Sequence, residues 1–213
     1  MSDLDDTRAS VFVKARRGRP RHAEKSPEFE EKLSAIVEAA ADVFREKGYA
    51  SGSLDDVAAA LDIRKATLYY YVASKAKLLE MIFERALTTS RRKIDSLAEI
   101  SDPRERLRAL IRHQVELVSS DRSHFAVFFD HLSVSDRSDA KSPRLRALEK
   151  EYMESFQRVV EYAVAAGVIA DVPPKYAVQA IIGMTCWTYK WFDPRRHSTE
   201  AMVDTCIDLL IRN

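Results

Sequence analysis

A chain of 213 residues, 46% hydrophobic and 31% charged, has enough apolar side chains for one large core or two smaller ones. A formal net charge of +1 rules out a polycation, and two cysteines, Cys186 and Cys206, each in an apolar stretch, are too few for a disulfide framework and fit a reducing cytosol. No stretch approaches the length of a membrane-spanning helix, and "MSDLDDTRASVFV" lacks the apolar run of a signal peptide, so a cytoplasmic protein with no membrane partner is expected.

Residues 1–25 are polar, charged and aperiodic, and read as a flexible basic arm. Ser26 as cap and Pro27 at the first helical position open a helix that carries Ile36, Ala40, Val43 and Phe44 at helical spacing and stops at Gly48. "SLDD", residues 53–56, is a capping box in its Ser-x-x-Asp form and opens a short helix to about residue 61. Asp62 and Ile63 break the chain before a second short helix over about 65–72, and Ser74 caps a long helix to about 97. Pro103 starts another, ending near 119, and "SHFAVFFDHL" reads as a short apolar helix followed by a polar loop. Residues 144–166 form a long periodic helix stopped by Gly167, residues 175–192 one that is apolar nearly all round, and Ser198 caps a last helix with Met202, Val203, Cys206, Ile207, Leu209 and Leu210 in one stripe. The expectation is an all-α fold of about nine helices in three parts: the arm (1–25), a helix-turn-helix domain (26–80) and a larger helical domain (81–213).

Charge is concentrated locally. Between residues 63 and 79 there are four bases, Arg64, Lys65, Lys75 and Lys77, and no acid; between 14 and 25 there are six bases and one acid, Glu24. The first cluster surrounds three consecutive tyrosines, Tyr69–Tyr71, which point in three directions on a helix and cannot all enter one core. Two short helices with a tight break, the second one basic, form a helix-turn-helix pattern whose second helix fits the major groove. Val57, Ala58, Leu61, Ile63 and Leu68 supply the small core that fixes the crossing, so Arg64, Lys65 and Thr67 stand at the exposed start of the second helix and Lys75 within reach of a phosphate. With Leu68 inward, Tyr69 and Tyr70 face largely outward and Tyr71 lies at the core's edge. Half-buried surface tyrosines of an ordinary helical bundle are the alternative.

"AADVFREKGY", "LDDVAAALDI" and "TLYYYVASKAKLL", within residues 36–86, resemble the DNA-binding domain of TetR-family transcriptional regulators. The resemblance implies an all-helical two-domain subunit that dimerises, binds a palindromic operator, usually represses, and leaves DNA when a small ligand enters its second domain. It places phosphate contacts at Ser53, Tyr70 and Lys75 and base-reading positions at Lys65, Ala66, Thr67 and Tyr69, with Tyr71 where the family often has histidine. The chain departs from the pattern at four places. Asp62 stands for a usual glycine, Arg64 for a Ser or Thr cap, Asp55 for a frequent arginine, and Gly52 for a threonine. Asp tolerates a left-handed backbone, so the turn is expected to survive.

"RRGRPR", residues 16–21, resembles the core of an AT-hook, and Arg17, Arg19 and Arg21 are candidates for a narrow minor groove. A basic tail adding only nonspecific attraction is the alternative. In the second half, His113, Phe125, Phe128, Phe129, His131, Tyr152, Phe156, Met184, Trp187, Lys190 and Trp191 are candidate effector residues, although ordinary core packing explains any one of them. "GMTCWTYKWFDP" resembles the C-terminal helix of the TetR subgroup that senses acyl-CoA thioesters. There an aromatic ring can stack on adenine while Lys190 meets phosphate; tryptophans anchoring a homodimer through the last two helices are the other reading.

An enzyme is not expected, because there is no Gly-rich phosphate loop, no metal-ligand cluster and no nucleophile–base pair, and His124 and His131 have no acidic partner at ligand spacing. No cofactor or metal is expected beyond a small-molecule effector such as an acyl-CoA from fatty-acid or steroid catabolism. A drug- or aromatic-responsive regulator of the same family and an architectural DNA binder are the competing functions.

Overall fold

Serine hydroxyls mark the start of five of the described helices. In the computed structural model, which describes residues 26–120 and 142–211, Ser26, Ser53, Ser74, Ser142 and Ser198 each accept the backbone N–H three residues on, at 3.1–3.2 Å. The helices are α1 (Pro27–Lys47), α2 (Leu54–Ala60), α3 (Lys65–Tyr71), α4 (Lys75–Ser96), α5 (Pro103–Ser120), α6 (Pro143–Ala165), α7 (Pro174–Cys186) and α8 (Thr199–Leu210). Short 3-10 segments cover Leu97–Glu99 and Trp187–Lys190. The described residues are all-helical, apart from one isolated antiparallel bridge between Ile169 and Ile211. The expected helix "SHFAVFFDHL" lies outside them.

One expectation is corrected. Residues 175–192 do not form a single α-helix: α7 ends at Cys186 and the chain tightens into the 3-10 turn. The Thr185 hydroxyl donates to the Ile181 carbonyl at 2.8 Å and the Thr188 hydroxyl to the Thr185 carbonyl at 2.5 Å. Two threonines bonding back onto the ladder compete with its regular pattern and change its pitch. Trp187 and Trp191 therefore do not stack one α-turn apart.

The chain separates into two compact units between Phe83 and Glu84. The first has Ile36, Phe44, Val57, Leu61, Leu68 and Leu78 fully buried, and all of these but Leu78 are residues that the sequence pattern turns inward. The second is built around Leu107, Leu110, Ile111, Phe156, Val160, Ile181 and Val203. Helix α4 gives Leu78 and Ile82 to the first core and Ile94 to the second. At the surface of the second unit, α5 and α8 are clamped by charge: Arg112 makes a two-pronged contact with Glu200 at 2.7 and 2.9 Å, and Arg108 reaches both Glu200 and Asp204.

The α2 start is a full capping box, with the Ser53 hydroxyl taking the Asp56 N–H and the Asp56 carboxylate taking the Ser53 N–H at 2.8 Å. Lys47 closes on the same carboxylate at 2.5 Å, and together with Ser53 it holds the Asp56 carboxyl down at about 2. Gly52, just before the box, is buried, and a Cβ there would lie 2.8 Å from the Phe44 ring and 3.2 Å from the Gly48 carbonyl. The threonine common at this position in the resembled family has no room without movement of a core ring. Gly52→Ala is expected to lower unfolding stability by about 1–3 kcal/mol, the usual cost of overpacking. An unchanged denaturant midpoint would show that the ring yields freely.

Candidate nucleic-acid and effector sites

Between α2 and α3 the chain turns at Asp62, whose φ of 51° is the one positive value outside glycine among the described residues. The Ile63 N–H reaches back to the Ala58 carbonyl at 3.0 Å and closes the turn. An aspartate thus takes the left-handed conformation expected of it. Arg64 caps α3 with its backbone alone and makes no side-chain cap, which leaves its guanidinium outside the helix it starts.

Turning Leu68 into the core settles how the tyrosines divide. Tyr69 and Tyr70 are 48% and 51% exposed. Tyr71 is half-buried and packs against Phe29 of α1 with ring centres 4.8 Å apart; Phe29 also meets Tyr70 edge-on at 6.1 Å. The inward stripe of α1 therefore starts earlier than Ile36. Three and then four residues before Ile36 stand Leu33 and Phe29, so the helical periodicity of the sequence already carries the longer stripe.

Lys65, Ala66 and Arg64 are exposed at the start of α3, with Thr67 half-buried beside them. Lys65 is not free: its ammonium lies 2.8 Å from the Asp55 carboxylate on α2 and 6.0 Å above the Tyr69 ring. Lys75, at the first position of α4, sits over the Tyr49 ring at 4.4 Å and donates to the Ala50 carbonyl at 3.3 Å. The Ser53 hydroxyl is engaged in the capping box and donates to Asp56 at 2.6 Å. Arg64, Lys65, Ala66, Tyr69, Tyr70 and Lys75 thus gather around α3 and the start of α4, the geometry of a helix presented to a groove. Arg17, Arg19 and Arg21 lie outside the described residues. Tyr69→Ala is expected to reduce affinity for a preferred site by about tenfold while leaving random DNA almost unaffected, as loss of a base contact does. Equal losses on both DNAs in a competition assay would refute base reading there.

In the second unit, four helices contribute to two neighbouring sets of hydrogen-bonded polar groups. The Ser90 hydroxyl of α4 and the His113 ring of α5 meet at 2.7 Å. Tyr152 of α6 donates to Gln114 at 2.7 Å, and the Gln114 amide donates to the Cys186 thiol of α7 at 3.5 Å. Burial pushes His113 down to about 4, with Lys93 adding to the effect, and pushes the Tyr152 phenol and Cys186 thiol up. These shifts all favour the uncharged forms at neutral pH. The Ser90–His113 pair was not anticipated, since 23 residues separate the two, and among the described residues no carboxylate orients the ring as a hydrolytic triad needs.

The other effector candidates divide by exposure. Phe156 is fully buried beside Tyr152, and Met184 is partly buried against the same core. Trp187 and Trp191 are 62% and 45% exposed, Trp191 packing on Phe192 and His197, and Lys190 lies over the Tyr189 ring at 4.7 Å. Phe125, Phe128, Phe129 and His131 lie outside the described residues.

Residues 36–82 match the tetR family of bacterial regulatory proteins, and residues 101–213 match the tetracyclin repressor-like C-terminal domain. The fold is similar to that of AibR, solved in complex with isovaleryl coenzyme A and operator DNA, at a TM-score of 0.69 and 29% identity over 84% of this chain and 97% of that one. Among curated relatives, the HTH-type transcriptional activator FasR of Mycolicibacterium smegmatis is 26% identical over 64% of this chain, which spans 62% of FasR's length. The HTH-type transcriptional repressor NicS of Pseudomonas putida is 23% identical over 79% of this chain and 78% of its own.

Proposed function

The chain belongs to the TetR family of bacterial regulatory proteins and is a DNA-binding, ligand-responsive transcription regulator; from that premise we propose that it is a repressor that an acyl-CoA thioester releases from a palindromic operator. The observation that carries the effector class is the pair of uncharged polar sets Ser90–His113 and Tyr152–Gln114–Cys186 beside the apolar core of the second unit. A carbonyl or thioester oxygen can exchange hydrogen bonds with such groups without bringing a charge into low dielectric, whereas a free carboxylate would enter uncompensated. The likeness to AibR, whose ligand is an acyl-CoA, points the same way.

The protein works as a homodimer that presents two copies of α3 to the two half-sites, joined through the last two helices. Supporting this, Trp187, Trp191 and the 72% exposed Leu209 lie on the terminal elements, where a lone subunit would leave large apolar side chains in water. The test is a titration of short- and medium-chain acyl-CoA esters into the protein–operator complex, followed by fluorescence anisotropy. Release at ester concentrations that leave a Tyr152→Phe variant bound is the expected result. A complex indifferent to every thioester, and released instead by a hydrophobic molecule without CoA, would replace the effector class.

A further inference from the structure

Asp55 is an acid in a place where DNA readers gain from bases. It lies in the first turn of α2, its carboxylate 2.8 Å from the ammonium of Lys65, the first residue of α3. Both side chains are more than half exposed. Such a pair contributes little to stability, so the fold does not require it. It also cancels a cation at the tip of the helix that enters the groove, which weakens attraction to phosphate. With Tyr69 one turn along α3 and its ring 6.0 Å from the ammonium, Lys65 is held between a carboxylate and an aromatic face and kept from swinging to the backbone.

We propose that Lys65 and Asp55 act as one unit that reads a single G·C base pair in each half-site, with Asp55 as the specificity-determining member. This rests on the DNA-binding reading above. A lysine ammonium has three N–H donors. Asp55 takes one and two remain, so the pair presents two donors beside one acceptor. The major-groove edge of G·C presents the complement: the N7 and O6 acceptors of guanine, then the N4 amino donor of cytosine. O6 and N4 are hydrogen-bonded to each other and so lie about 2.9 Å apart, which matches the separation of ammonium and carboxylate. An A·T pair offers N7, the N6 donor and O4 in that order. It satisfies at most two of the three groups and sets the thymine methyl against them.

The test is selection of preferred sites from a random-sequence duplex pool by the intact protein and by the Asp55→Ala and Lys65→Ala variants, each first shown by thermal melt to be folded. The wild-type motif should contain an invariant G·C pair in each half-site, with A·T there weakening binding by about tenfold or more. Both variants should become degenerate at that same position. Asp55→Ala should also bind random DNA more tightly, with a salt slope steeper by about one unit per subunit as Lys65 turns to phosphate. A motif that Asp55→Ala leaves unchanged, or variants that relax different positions, would overturn the proposal and leave the regulator intact. A wild-type protein that enriches no motif would overturn the regulator reading as well.

Discussion

Replacing Lys75 by alanine is expected to weaken binding to every DNA sequence by a similar factor, roughly tenfold per subunit, as loss of a charge-assisted phosphate contact does. Plotted against the logarithm of salt, the affinity should lose about one unit of slope per subunit. The structure explains why this lysine in particular should matter. Its ammonium lies 4.4 Å from the centre of the Tyr49 ring and 5.7 Å from that of Phe44, and it donates to the Ala50 carbonyl in the loop that leads into α2. A cation already ordered by the fold gives up little rotamer freedom when it meets a phosphate. Lys75→Arg should keep the slope, because the charge is retained and a guanidinium also stacks on an aromatic face. Unchanged slope in Lys75→Ala would show that the ammonium stays off the backbone.

Phe44→Ala is expected to have the largest effect on folding. The ring is fully buried, lies edge-on to Tyr49 at 5.4 Å, and is the surface against which Gly52 closes. Truncating a buried phenylalanine costs about 3–5 kcal/mol. That is a large fraction of a total stability of about 5–15 kcal/mol. The denaturant midpoint of the DNA-binding unit should fall steeply, and DNA affinity should fall with it wherever the unfolded fraction becomes appreciable. Phe44→Leu should retain both in part, and it should also relieve Gly52→Ala, giving a favourable coupling in a double-mutant cycle. Additive effects would mean that the ring and the glycine do not share one space.

The helix starts could be found in the sequence because a cap is a local device: a serine and the N–H three residues later suffice. The same holds for the left-handed Asp62, whose short polar side chain announces a turn, and for the outward Tyr69 and Tyr70, which follow once Leu68 is placed inside. What stayed hidden depends on residues brought together from a distance. Nothing near Lys65 in the sequence shows that Asp55, ten positions earlier, will neutralise it. Tyr152 and Gln114 are 38 positions apart and become partners only after α5 and α6 pack. The end of α7 failed for another reason. Periodicity counts apolar faces and does not register threonine hydroxyls that redirect carbonyls into a tighter turn.

The arginine clamp between α5 and α8 has a practical consequence for ionic strength. Arg108, Arg112, Glu200 and Asp204 all touch solvent, so dissolved ions compete for them as they do for phosphates. A salt series therefore perturbs two places at once: the groove-facing helix and the anchorage of the chain's last helix. A slope read from such a series counts phosphates cleanly only over concentrations where α8 stays docked. The melting temperature of the DNA-free protein at each concentration marks that interval.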